Sequence, residues 1–221
     1  MSVFSAEDRA VADAIVAKYP NHRSATLPLL FLVQSVEGYV TEDGMREVAD
    51  ILGLTPAQVL ASASFYTMLK KRPQGEYLVS ICRNISCTHR GARRVIEAAE
   101  DALGIATGET TADGRFSLEA AECLGTCDGA PSMQINYEDF YDVMPDDVVE
   151  LITKLKGGDA VRSVRGETVK TAKEIARETA LAGVRRESED LVHAARTVGG
   201  ESQPSDMTLG FRPRVEGDSD A

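Results

Sequence analysis

The chain has 221 residues, and its 24 Lys and Arg against 35 Asp and Glu give a formal net charge of −11. That length allows one or two small domains, and a hydrophobic content of 43% is enough for a packed core. The acidic balance argues against binding to nucleic acid or to an anionic membrane surface, because both need clustered Lys and Arg. Trp is absent and aromatic residues are 5%, so no platform for stacking bases is indicated.

Neither a membrane span nor a secretory signal is predicted. The longest apolar run, residues 27–33, contains Pro28 and is far shorter than the roughly 20 residues of a span. Glu7 and Asp8 follow the start directly, without a basic region or an apolar region before them. We therefore expect a cytoplasmic protein with no direct membrane insertion, and in that compartment thiols stay reduced.

Residues 1–72 predict a small helical bundle. Thr55 as cap, Pro56 at the first helical position and Gln58 in the capping box mark the clearest helix start. Short loops between successive helices are typical of such bundles. Phe65 and Tyr66 are expected to pack between this bundle and the following domain. The four predicted helices run from Ser5 to Pro20, from Leu27 to Glu37, from Thr41 to Gly53 and from Thr55 to about Met68.

Residues 73–157 predict a small α/β domain, because the spacing of apolar residues changes after Pro73. The fold class is therefore α+β, with a helical bundle followed by an α/β domain. Strands are predicted at residues 77–82, 116–121, 133–136 and 140–143, and helices at residues 91–103 and 145–156.

Residues 158–221 are predicted as a polar, partly disordered C-terminal extension. Two stretches, residues 167–182 and 186–196, are compatible with helix, and the chain beyond Gly199 is rich in Gly, Ser, Pro and Asp. Within it, Met207–Arg214 has two interpretations. It is either part of a solvated extension or a short docking segment with an apolar anchor and two Arg.

Four cysteines carry most of the functional information. Cys82 and Cys87 form a C-x4-C pair, and after 35 intervening residues Cys123 and Cys127 form a C-x3-C pair. Both pairs lie where a predicted strand runs out into a loop. Two loops at the ends of neighbouring strands would bring the four thiolates together.

The spacing alone leaves several interpretations of these thiols. A disulfide framework is disfavoured by the expected compartment and the chain length, and unrelated buried cysteines leave the close pairing unexplained. A thioredoxin-type dithiol uses C-x-x-C, which neither pair has. A structural zinc site takes four thiolates but usually has shorter C-x2-C steps. A [2Fe–2S] cluster needs two thiolates for each iron and therefore suits two separated pairs.

The residues around the cysteines form a set of ordered motifs. They are Cys82-x-Asn84-x-Ser86-Cys87, Arg90-Gly91-Ala92, Asp113-Gly114-x-Phe116, Glu122-Cys123-Leu-Gly125-x-Cys127-x-x-Ala130-Pro131 and, upstream, Phe65-Tyr66-Thr67-Met68. With these motifs the chain resembles the thioredoxin-like [2Fe–2S] ferredoxins over about residues 5–156. Within that family the similarity is strongest to the branch that forms the peripheral [2Fe–2S] subunit of NADH:quinone oxidoreductase, respiratory complex I.

This resemblance implies a thioredoxin-like fold for the α/β domain and one [2Fe–2S] cluster per chain. Cys82 and Cys87 would bind one iron, and Cys123 and Cys127 the other. It also implies a partner, the flavin- and NADH-binding subunit of complex I, which holds FMN and NADH, and through it the iron–sulfur-rich large peripheral subunit. The chain would lie peripherally at the cytoplasmic face of the inner membrane. It would act as an oxidoreductase subunit without a catalytic residue or activity of its own.

Two alternatives remain open at this point. The equivalent [2Fe–2S] subunit of an NAD-linked formate dehydrogenase or hydrogenase has a similar motif set, and a zinc-stabilised interaction module would need no redox role.

Arg83 and Arg90 would raise the reduction potential if close to the cluster, or are solvated surface charges. Five small or hydroxyl-bearing residues near the cysteines either donate backbone N–H groups to the cluster or form ordinary turns. They are Ser86, Thr88, Gly125, Thr126 and Gly129.

Overall fold

A computed structural model describes residues 2–197 of the protein, with side chains through residue 184. Residues up to Arg185 form one compact unit, and residues 186–197 continue the last helix. The helices are α1 Ala6–Ala17, α2 Thr26–Glu37, α3 Glu42–Leu52, α4 Pro56–Phe65, α5 Ile85–His89, α6 Ala92–Leu103, α7 Pro145–Gly157 and α8 Ala172–Thr197. The strands are β1 Tyr77–Cys82, β2 Phe116–Ala121, β3 Met133–Ile135 and β4 Glu138–Phe140, which confirms the α+β class.

Helices α1 to α4 form the predicted bundle around the apolar helix α2. The capping box of α4 is present, since the Gln58 N–H donates to Thr55 Oγ1 and the Thr55 N–H donates to Gln58 Oε1 at 2.9 Å. Helix α3 approaches α2 closely at Gly44, where any Cβ would clash with the side chain of Val33. The fully buried core of the bundle includes Leu29, Leu30, Leu32, Val33, Val48 and Val59.

A four-stranded sheet of order β2-β1-β3-β4 forms the core of the second part. Strands β1 and β2 are parallel, and β1–β3 and β3–β4 are antiparallel. Helix α6 connects β1 to β2 and packs against both strands and against α7. The register pairs Tyr77 with Phe116 and Cys82 with Ala121. The predicted bounds of β1 and β2 are therefore confirmed at every residue.

Strand β4 lies at residues 138–140 rather than at the predicted 140–143. Asn136 and Tyr137 both have positive φ, 49° and 70°, and form a two-residue turn between β3 and β4. Turns of this kind match the twist of the two strands they join. The hydrophobic pattern does not reveal such a turn, because Tyr rarely adopts positive φ.

Three other local predictions differ from the structure. Helix α4 ends at Phe65 instead of near Met68, and the short helix α5 was not predicted. Phe65 and Tyr66 do not pack in a core, since they are 78% and 44% exposed. Their rings contact each other edge to face, with centroids 5.1 Å apart. The motif that carries them is therefore a surface feature.

Part of the predicted C-terminal extension packs against the rest of the compact unit. The Ala172 N–H donates to the carbonyl of Glu76 at 2.8 Å, and Arg177 forms an ion pair with Asp8 at 2.6 Å. Partial burial opposes ionisation of Asp8, but the hydrogen bond and charge of Arg177 lower the pKa of that carboxyl. Ala180 is buried in the core of the bundle.

The domain boundaries drawn at residues 72/73 and 157/158 remain predictions. Residues 198–221, with the segment Met207–Arg214, lie outside the described residues. In the part of the chain that is described, no single helix is long and apolar enough to span a membrane. Among the helices of the described residues, one bent pair, α3 and α4 with 117° between them, has the length and composition of a span.

Replacing Asn136 with Ala is expected to destabilise the fold by about 2–4 kcal/mol. The Asn136 side chain accepts from the Leu78 N–H at 2.8 Å and donates to the carbonyls of Glu76 and Lys170, each at 2.7 Å. Loss of these side-chain hydrogen bonds would leave buried backbone groups unpaired. Urea unfolding followed by circular dichroism measures the change in the free energy of unfolding, with Asn21→Ala at an exposed cap as control. Equal midpoints for the two variants would contradict this role of Asn136.

Helix α8 offers a matched pair of alanines that tests its packing. Ala180 is buried against the bundle, whereas Ala182 is exposed two residues later. Ala180→Asp is expected to cost about 3 kcal/mol, because it buries a carboxylate without a partner. Ala182→Asp is expected to change stability by no more than about 0.5 kcal/mol. Thermal unfolding of both variants measures the difference, and equal melting temperatures would mean that α8 does not pack on the bundle.

Candidate metal centre

The two cysteine pairs leave the sheet at the same edge. Strand β1 ends at Cys82 and its parallel neighbour β2 ends at Ala121, the residue paired with Cys82. The first cysteine loop is defined here as residues 82–91 and the second as residues 122–132. Because parallel strands run in the same direction, the two loops begin side by side. The predicted placement of both pairs at neighbouring strand ends is confirmed.

The first pair is buried. Cys82 and Cys87 are 2% and 1% exposed and form a small cluster with Ala92 and Ala130. Helix α5 returns the chain so that Cys87 faces Cys82. Its start is capped by Asn84, whose side chain accepts from the N–H of the next residue at 2.7 Å.

The second loop affects the first cysteine pair through Leu124. Burial raises the pKa of the Cys82 thiol, and the backbone N–H groups of Asn84 and Leu124 act in the opposite direction. The Cys87 thiol raises this pKa further. Leu124 belongs to the second loop and also packs on the buried cysteine cluster. The second loop therefore packs against the buried pair through Leu124.

The second pair is exposed to solvent. The Gly125 N–H donates to Cys123 Sγ at 3.4 Å, and Gly125 itself has φ of +77°, a conformation that favours glycine. Cys127 begins a short 3-10 helix that ends at Gly129. A Cβ at Gly129 would clash with the ring of Tyr141, so this position requires glycine for close packing.

Two hydroxyls lie near the cysteines. Thr126 Oγ1, between Cys123 and Cys127 in the chain, is buried without a hydrogen-bond partner among the residues that the structure describes. Ser132 Oγ lies 3.6 Å from Cys87 Sγ. Motif spacing did not single out Ser132, because it is 45 residues from Cys87 along the chain.

Arg83 and Arg90 are surface residues with acidic partners. Arg83 pairs with Glu122, the residue before Cys123, and Arg90 pairs with Asp142 at 3.5 Å. More than half of each side chain is exposed, so the energy of either pair is small. The Arg83 pair nevertheless connects the two loops directly. The interpretation of both arginines as surface charges fits this geometry best.

The four thiols are free, which removes the disulfide interpretation. Within residues 2–184, however, no three His, Cys, Asp or Glu side chains converge closely enough to hold a metal ion. The predicted convergence of all four thiolates is therefore not observed among these residues: the structure brings Cys82 and Cys87 together and places Cys123 and Cys127 apart from them on the adjoining loop. The donor set nevertheless fits a group that takes four sulfur ligands from two loops. The N–H of Gly125 directed at sulfur and the unpartnered Thr126 hydroxyl support that fit.

Comparison with known proteins identifies relatives of the chain. An NADH-quinone oxidoreductase subunit of Mycobacterium tuberculosis is 43% identical over 155 residues, which cover 70% of this chain and 62% of the relative. NADH-quinone oxidoreductase subunit 2 of Thermus thermophilus is 36% identical over 151 residues, which cover 67% of this chain and 83% of the relative. The chain thus matches less than two thirds of the length of the mycobacterial relative.

Among solved structures, an NAD+-reducing [NiFe]-hydrogenase is 25% identical and overlaps 52% of this chain and 20% of its own chain, with a TM-score of 0.49. That TM-score does not by itself establish a shared fold. A model of the thioredoxin-like [2Fe-2S] ferredoxin family matches residues 12–156, a range that contains all four cysteines, the bundle from within α1 and the whole sheet. The chain belongs to the thioredoxin-like [2Fe-2S] ferredoxin family.

Proposed function

We propose that this chain binds one [2Fe–2S] cluster and works as an electron-transfer subunit. The observation that carries the proposal is the placement of four free cysteines on two adjoining loops at one sheet edge, within the range matched by the family. Cys82 and Cys87 hold one iron, and Cys123 and Cys127 hold the other. When bound, such a cluster accepts and returns single electrons.

The protein would surround the two irons unequally. The Cys82 and Cys87 side is buried among Ala92, Ala130 and Leu124, so it excludes water. The Cys123 and Cys127 side is exposed. A redox partner therefore approaches the centre over the second cysteine loop. The backbone N–H groups of Leu124 and Gly125 face sulfur atoms and stabilise negative charge there.

The proposed partner is the flavin- and NADH-binding subunit of complex I. The support is the similarity to relatives named as NADH-quinone oxidoreductase subunits, at 43% and 36% identity. FMN and NADH would be bound by that partner, which in turn contacts the large iron–sulfur subunit. In this assembly the chain is peripheral at the cytoplasmic face of the inner membrane, and it contributes to NADH:quinone oxidoreductase activity only as part of the complex.

Replacing any one of the four cysteines with Ser is expected to reduce the bound cluster to less than about a tenth of the wild-type content, because each iron needs two thiolates. Iron and sulfide analysis, with electron paramagnetic resonance spins counted per chain after anaerobic reduction, measures this. Ser64→Ala, at an exposed position of α4, is the control that keeps full content. Stoichiometric zinc and no spin in the wild-type chain would instead indicate the zinc-stabilised module.

NADH alone is not expected to reduce the purified chain, whereas NADH with the flavin subunit present reduces it. The physical reason is that the chain lacks a glycine-rich dinucleotide motif of its own. The amplitude of the reduced-cluster signal measures the extent of reduction. Formate or H2, each with its own dehydrogenase or hydrogenase subunits, serves as the parallel donor. If only formate or only H2 reduced the cluster, the chain would instead be assigned to the formate dehydrogenase or the hydrogenase.

A further inference from the structure

Ser132 contacts both cysteines of the buried pair. Its carbonyl accepts a hydrogen bond from the Cys82 N–H at 3.1 Å, and its hydroxyl lies 3.6 Å from Cys87 Sγ. The residue is 1% exposed, so water does not compete for the hydroxyl. Cys87 is the one hydrogen-bond partner of this hydroxyl within residues 2–184. Ser132 is the last residue of the second cysteine loop, directly before β3, and it contacts the buried pair through both groups.

The direction of this hydrogen bond follows from the chemistry of the sulfur. In the free thiol either atom can donate, but a cysteine that binds iron is a thiolate and has no proton to give. The Ser132 hydroxyl must then be the donor. The bond between them is charge-assisted and lies in a buried, low-dielectric site, where such bonds are stronger than in water.

We propose that Ser132 is a positioning residue that raises the reduction potential of the cluster by donating its hydroxyl hydrogen bond to the Cys87 thiolate. This inference rests on the proposed binding of a [2Fe–2S] cluster. One electron added to the centre increases the negative charge on its sulfur ligands. A hydrogen bond to such a ligand therefore stabilises the reduced form more than the oxidised form.

The test compares two buried serines in the full chain with its cluster. Ser132→Ala is expected to lower the equilibrium constant for one-electron reduction about tenfold, which corresponds to a fall of about 59 mV. The matched control is Ser117→Ala. Ser117 is also buried and hydrogen-bonded, but it pairs with Leu78, four residues before the row of Cys82 and Ala121. A redox titration followed by electron paramagnetic resonance measures both potentials.

The expected result is a lower potential in Ser132→Ala, an unchanged potential in Ser117→Ala and recovery in Ser132→Thr, which keeps the hydroxyl. A cluster that assembles in Ser132→Ala with the wild-type potential would overturn the inference but not the proposed function. Absence of a cluster from the wild-type chain would overturn both.

A second measurement applies even if Ser132→Ala loses its cluster. Exchange into D2O is expected to shift the iron–thiolate stretching bands in resonance Raman spectra more in the wild-type chain than in Ser132→Cys, because a thiol is the weaker donor and the Gly125 N–H contributes equally to both. Each shift is measured between two solvents for one protein, so differences in stability between the two chains do not enter it. A shift no larger in the wild-type chain than in Ser132→Cys would overturn the inference.

Discussion

The parallel register between β1 and β2 is the constraint on which the candidate centre depends. It pairs Cys82 with Ala121, and from that row the two cysteine loops start side by side. A slip of one residue would turn the side chain of Cys82 to the opposite face of the sheet. The register is held on both strands by buried apolar side chains, including Val79, Ile81 and Leu118. The hydrophobic core of the sheet therefore positions the cysteines proposed as metal ligands as well as stabilising the fold.

Burial divides the centre into two unlike halves. The first pair lies in a small apolar cluster and has a buried hydroxyl, Ser132, against it. The second pair is exposed on a loop whose conformation depends on Gly125 and Gly129. Such a division suits electron exchange, since one side protects the centre from water and the other admits a partner. It also means that a hydrogen bond to the buried pair would act on the proposed centre without altering the exposed loop.

Residues beyond the family match contribute to the same compact unit. The match ends at residue 156, yet Val161 and Val169 lie in the core of the sheet and Ala180 in the core of the bundle. Asn136 connects this segment to β1, because its side chain binds backbone groups of Leu78 and Lys170. The segment after the matched range is thus a structural element of this chain, and its loss would expose apolar surface on both cores.

Local signals in the sequence determined much of this protein. The capping box of α4 and the runs of β-forming residues in β1 and β2 each depend on neighbouring residues, so pattern analysis predicts them correctly. The cysteine pattern with its flanking motifs was also sufficient to indicate the family. Tertiary structure decided the features that rest on distant residues. Ser132 reaches Cys87 across 45 positions, and α8 packs on the bundle through Ala180. The exposure of Phe65 and the positive φ of Asn136 likewise depend on packing and strand geometry, which no local pattern encodes.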